Sequence, residues 1–229
     1  MLPERVKCSM PHSRRSERIN RRDLEVLEFI ARYGTVPRST LQMWSRCGRS
    51  VGFERERRLR LGGLVELRRG PEEGERLLIV TRRGLRSCGR PDLRPARPSL
   101  ATLGHETTVA RLGARLELEG EQVISEREML AFERAEGERI HSASLGNQRF
   151  HRADLLRLGT EGAEAIEVEL SVKGADRLDA ILRAWRFAVA ERRLAAVVYH
   201  CAPRVRPPVE KAIARTATAA MIEAVDLRL

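Results

Sequence analysis

Apolar residues recur at helical spacing through Leu24, Val26, Leu27, Phe29 and Ile30, between Asn20, placed as an N-cap, and a Tyr33-Gly34 stop. Residues three and four apart share one face of an α-helix, so this spacing predicts a first helix with a single buried stripe. Val36-Pro37 then leads into residues 39–44, a short second helix with Leu41, Met43 and Trp44 toward the core and Gly48 after its end. Residues 49–61 predict a third helix with Leu59 and Leu61 inward, closed by Gly62-Gly63. Two short β-type runs follow, 64–67 and 76–80, joined through Gly70-Pro71-Glu72-Glu73-Gly74, whose residues suit a turn. Thr81 opens a fourth, short helix.

Beyond residue 89 the pattern changes. Residues 90–98 hold three prolines, which excludes a helix and favours extended, semi-rigid chain. Residues 103–119 predict a helix whose core face is Val109, Leu112, Leu116 and Leu118, and 123–127 a short strand. Residues 133–149 show no clear period and are expected as loop or hairpin extension. Phe150 to Leu158 and Ala163 to Val172 predict paired strands across Gly159-Thr160-Glu161-Gly162, followed by a helix over 177–187. The wholly apolar run 194–199 suits a buried parallel strand, 207–220 a further helix, and 222–225 an edge strand. The expected fold class is α+β: a flexible basic arm over 1–19, a winged helix-turn-helix over 20–89, a Pro-rich linker over 90–99 and an α/β domain over 100–229.

Charge divides the chain at the same place. Of its 229 residues, 1–99 carry 24 Lys and Arg against 12 Asp and Glu, whereas 100–229 carry 19 against 20. A basic half joined to a near-neutral half implies a polyanion-binding module, and double-stranded DNA is the expected partner. Arg49, Arg55, Arg57, Arg58 and Arg60 on the third helix, with Arg68 and Arg76 on the hairpin, are the candidate contacts, mostly to phosphate. The alternative is a small helical domain with a solubilising arginine surface. Cys8, Cys47, Cys88 and Cys201 are scattered without zinc-ligand spacing, so neither a structural zinc site nor a disulfide framework is expected. No apolar run is long enough to span a membrane and no signal-peptide pattern is present, so a cytoplasmic location is expected.

The chemistry-bearing residues gather in the second half. On a strand, Ile166, Val168, Leu170 and Val172 face one way while Glu167, Glu169, Ser171 and Lys173 face the other, and Asp154 lies on the preceding strand. Carboxylates beside a lysine suit a hard divalent cation, Mg²⁺ or Mn²⁺, acting on a phosphodiester. Lys173 is one of only three lysines in a chain with 40 arginines, so it occupies a position where arginine was not substituted. The plain alternative is a solvated strand face of alternating charge. His105 and His151 are candidates for general base or for positioning the acids, against the alternative of hydrogen-bonded structural residues. Phosphate-loop, dinucleotide, nucleophile-elbow and zinc-protease motifs are absent from the sequence.

Helix, three strands, helix, strand is the element order of the PD-(D/E)XK nuclease core, which the second half resembles. Asp154 matches that motif's aspartate and Glu167 its second acid, Glu169 stands where the lysine is usual, and Glu106 is where some members add an acid. The resemblance implies Asp154, Glu167, Glu169 and Glu106 as metal ligands, with Lys173 as a catalytic partner.

Residues 17–201 resemble the actinobacterial replication-relaxation family. The resembling segments are Arg22-Asp23-Leu24-Glu25-Val26-Leu27, Thr81-Arg82-Arg83-Gly84, His105, Arg152-Ala153-Asp154-Leu155 and Glu167-Val168-Glu169-Leu170-Ser171. That family pairs a winged helix with a nuclease-like domain and commonly has an acid-x-acid pair at this point; its usual proline before the aspartate is Ala153 here. The resemblance implies action on plasmid or mobile-element DNA in replication, transfer or regulation, with replication or transfer proteins as partners. Two functions remain open: a DNA-binding protein whose nuclease-like domain is non-catalytic, and a metal-dependent DNA endonuclease. A symmetric homodimer is a further expectation, with residues Ile181, Leu182, Trp185 and Phe187 as the contact surface.

Overall fold

In the computed structural model, which describes residues 19–71, 74–139 and 141–229, helix α1 (Arg21–Tyr33) begins at the expected cap. The Asn20 side chain accepts the Asp23 N–H at 2.9 Å and Asp23 accepts the Asn20 N–H at 3.1 Å, a reciprocal pair that fixes the helix start. Gly34 ends it at φ +79°, a left-handed value that suits glycine. Then come β1 (Thr35–Pro37), α2 (Arg38–Trp44), α3 (Arg49–Leu61), β2 (Val65–Arg69), β3 (Arg76–Val80) and α4 (Arg82–Ser87). The three strands form an antiparallel sheet in the order β1-β3-β2, with Arg69 opposite Arg76 near the hairpin tip. The arm up to residue 18 and the turn residues Glu72 and Glu73 lie outside the described residues.

The second unit comprises α5 (Leu100–Leu118), β4 (Gln122–Ser125), α6 (Glu126–Glu136), β5 (Ser142–Ser144), β6 (Phe150–Arg152), β7 (Leu155–Gly159), β8 (Gly162–Glu169), α7 (Ala175–Ala190), β9 (Ala196–Cys201), α8 (Arg206–Arg215) and β10 (Ile222–Asp226). The main sheet runs β10-β9-β8-β7-β4; β4, β7 and β8 pair antiparallel, whereas β8, β9 and β10 are parallel. Parallel neighbours need a crossover, and α7 supplies the one from β8 to β9. Apolar residues of α7 and α8 pack on one face of the sheet, against Leu156, Ala165, Val197 and Tyr199. On the opposite face α5 brings Leu112 and Leu116 to Leu155, Ile166 and Val168. The chain is thus a mixed α+β protein, and no described helix is long and apolar enough to cross a membrane.

Several local expectations change. The single strand expected over 150–158 breaks at Ala153-Asp154, where β6 pairs with β5 and β7 joins the main sheet. Helix α6 occupies ground read as strand end and loop; Ser125 and Glu128 form its capping box, the Ser-x-x-Glu signal of a helix start. Leu61, expected inward, is 66% exposed. The expected dimer surface is used within the chain: Ile181, Leu182 and Trp185 are buried against the sheet, leaving only Phe187 of the four exposed.

The two units share a core. Buried residues of α1 and β1 belong to the same apolar cluster as Leu112, Ile166 and Val168. Across the contact Glu117 accepts from Arg32 at 2.7 Å, from the Tyr33 hydroxyl at 3.0 Å and from the Trp44 indole at 2.7 Å. Arg32 also donates to Glu128 at 2.9 Å and to the Val123 carbonyl.

Candidate functional site

Helix α3 has two chemically distinct sides. Its inward side carries Arg55, Glu56 and Leu59. Arg55 and Arg58 both donate to Asp23, whose side chain is fully buried, at 3.2 Å and 2.9 Å. Burial by itself would raise the Asp23 carboxyl, but the Arg58 and Arg55 guanidinium groups and the Asn20 N–H together hold it below its ordinary value. Arg55 and Arg58, expected at a DNA surface, therefore serve to lock α3 onto α1. Adjacent positivity in sequence concealed this, because the deciding partner lies 32 residues before Arg55 and 35 before Arg58.

The outward side carries the rest. At 100° per residue, Arg49, Ser50, Phe53, Arg57 and Arg60 fall on one stripe opposite Leu59, and all five are exposed. Among the described residues no acid partner is present at Arg49 or Arg60, whereas Arg57 donates to Glu54 at 3.1 Å. Arg38 stacks over Phe53 at 4.6 Å while bonding both Glu56 oxygens through Nε and one terminal nitrogen, which orients the aromatic ring on that face. On the hairpin, Arg68 is exposed beside Glu66 at 3.3 Å, and Arg76 is half-buried opposite the exposed Arg69, which was not singled out from sequence.

The acids of the second unit separate into pairs, each with its own base. Asp154, at the break between β6 and β7, accepts the Val168 N–H at 2.7 Å and lies 3.2 Å from His105 Nε2. Glu167 lies 2.9 Å from His151 Nε2, and Glu169 is bonded by Lys173. Strand alternation does send Glu167 and Glu169 away from Ile166 and Val168, but that second face is covered by α7, so they are only 2% and 4% exposed. Lys173 reaches Glu169 because β8 ends there and the chain turns back. Glu106, half-buried on α5, accepts from Thr102 at 2.7 Å. Among the described residues no three His, Cys, Asp or Glu side chains are grouped so as to hold a metal ion.

The bond to Asp154 raises the His105 imidazole to about 9 despite partial burial, with the Val168 carbonyl and Glu167 adding to the rise. At that value it is a cation at neutral pH, paired with Asp154. Burial works against protonation of His151, but Glu167 more than offsets it and raises the imidazole, while burial raises Glu167 itself. A cleft of about 270 Å³ opens beside His105 and Asp154, walled by Glu106, Glu126, Arg127 and Arg97. Within it burial, followed by the charge of Asp154, raises the Glu126 carboxyl.

The His105 geometry gives a pH signature. A folded value of about 9 against an ordinary 6.5 means that the pair's stabilisation is full below pH 6.5 and lost as pH rises through about 9. Denaturant midpoints should fall across that window in the native protein and fall less in His105→Gln. Equal slopes in both would show that His105 is not held by Asp154.

Comparison with family models, with curated proteins and with solved structures finds no match.

Proposed function

We propose that the protein binds double-stranded DNA through its N-terminal unit, acting as a winged helix with α3 in the major groove and the β2–β3 hairpin as the wing. The observation that carries the reading is the outward stripe of Arg49, Arg57 and Arg60 around Phe53, on a helix whose inward arginines are already committed to Asp23. Arg49, Arg57 and Arg60 contribute phosphate contacts that set register; Ser50 and Phe53, facing the same way, are the groups available to base edges. The main-sheet unit acts as a PD-(D/E)XK-like scaffold of replication-relaxation type on plasmid or mobile-element DNA. Its acids support a non-catalytic role, since Asp154, Glu167 and Glu169 each sit against a basic side chain of the chain itself.

The salt dependence of duplex binding by the full chain tests this reading. Each neutralised phosphate contributes about 0.9 to the log–log slope, so replacing Arg49, Arg57 and Arg60 with Gln should flatten it by roughly 2.7. An affinity indifferent to salt, or an unchanged slope in the triple variant, would refute it. The endonuclease alternative is separated by incubating plasmid with Mn²⁺: cleavage lost in Asp154→Asn would overturn the scaffold reading.

A further inference from the structure

A second charged cleft lies on the far side of α5, at the β9–β10 end of the main sheet. Helix α5 covers only part of this face, leaving a space of about 420 Å³ beside it. In β9, His200 sits between its register neighbours Val168 and Val225 and forms part of the floor. Arg115 of α5, Arg157 of β7, Arg206 at the start of α8 and Arg228 beyond β10 line the walls. Four guanidinium groups from four separate parts of the chain share the cleft with two lining carboxylates, Glu119 and Asp226, and two further acids, Glu164 and Glu210, bond Arg157 and Arg206.

The acids around this cleft leave much of each arginine available. Arg115 uses Nε on Glu119 at 2.8 Å; Arg206 uses Nε on Glu210 at 2.8 Å and one terminal nitrogen on Asp226 at 3.0 Å. Arg157 holds Glu164 through Nε and one terminal nitrogen. Each of these three therefore keeps at least one terminal nitrogen free of these contacts, while the carboxylates fix the side chains in place. At the floor, His200 Nδ1 is buried with no hydrogen-bond partner among the described residues. Unpaired buried polar atoms are uncommon in folded proteins, and one beneath four guanidinium groups suits an acceptor-rich anion.

We propose that this cleft is a phosphate-binding site, taking either a phosphate of a polynucleotide backbone or that of a free nucleotide through Arg115, Arg157, Arg206 and Arg228 with His200 beneath. The site is separate from α3 and from the Asp154 cluster, and does not rest on the function proposed above. Burial, with Arg157 and Arg115 adding to it, lowers the ring to about 4, so His200 is neutral in the free protein. An anion seated among the guanidinium groups reverses that field and makes protonation easier.

The test follows the His200 ring by nuclear magnetic resonance in the full chain, assigned with His200→Gln, with inorganic phosphate against chloride at equal ionic strength. Phosphate should move the His200 titration upward by about one unit, and Arg228→Gln, an exposed change that spares the fold, should weaken the phosphate effect several-fold. Identical His200 titrations in phosphate and chloride, or a phosphate effect untouched by Arg228→Gln, would overturn the site. Mononucleotide and duplex DNA then distinguish the sources: a backbone site loses about 0.9 of the DNA salt slope in Arg228→Gln, whereas a nucleotide site leaves that slope alone and responds to the mononucleotide.

Discussion

Asp23→Ala is expected to lower folding stability by about 3–5 kcal/mol, the loss seen when one partner of a buried ion pair is removed. The substitution strands Arg55 and Arg58 against α1 and also deletes half of the capping box at Asn20. Urea unfolding of the variant beside the native chain measures it; a loss below about 1 kcal/mol would mean that water satisfies the two arginines. The pH dependence has a definite sign. Because the folded Asp23 carboxyl is held below its ordinary 3.8, its contribution is present above that value and lost as pH falls through the lower, folded one. Acid unfolding should consequently begin at higher pH wherever Arg58 is replaced by Gln.

Gly113→Ala should be nearly as damaging, for a steric reason. A Cβ at Gly113 would stand 2.1 Å from the Tyr33 hydroxyl and 2.5 Å from Cζ. Tyr33 cannot readily yield: it is buried, its ring lies 4.8 Å from that of Phe29, and its hydroxyl donates to Glu117. Either the tyrosine is expelled or α5 moves off α1, at a cost of about 2–3 kcal/mol, in the range of overpacked cores. Tyr33→Leu in the Gly113→Ala background should recover part of the loss, because the two positions are in contact and their effects are not additive. Full additivity in calorimetric melting would show that α1 and α5 approach each other elsewhere.

Periodicity made the element order legible, since α1, α5, α7 and the apolar β9 each carry a stripe or run that only one kind of element buries well. It served less well where a partner distant in sequence decides. Arg55 and Arg58 resemble Arg57 and Arg60 until Asp23 is placed beneath them. Glu167 and Glu169 alternate as a surface strand should, but coverage by α7 depends on a crossover that strand alternation does not encode. The break at Ala153-Asp154 left no periodic trace, because residues on both sides of it have strand character. The capping signals at Ser125 and Glu128 were present in the sequence and had the local information needed to start α6. The acid and histidine positions were legible as a group; their division into separate pairs was not, since which base meets which acid depends on a few ångströms of tertiary placement.

Helix α5 is gripped at both extremities by unlike partners. Near its end Glu117 is tied to three donors of the N-terminal unit, and near its beginning His105 is tied to Asp154. Twelve residues separate them, about 18 Å of rigid rod at 1.5 Å per residue. Such a rod behaves as a lever: a displacement of α1 and α2 at Glu117 reaches the His105–Asp154 pair through helix alone, with no loop between the two contacts.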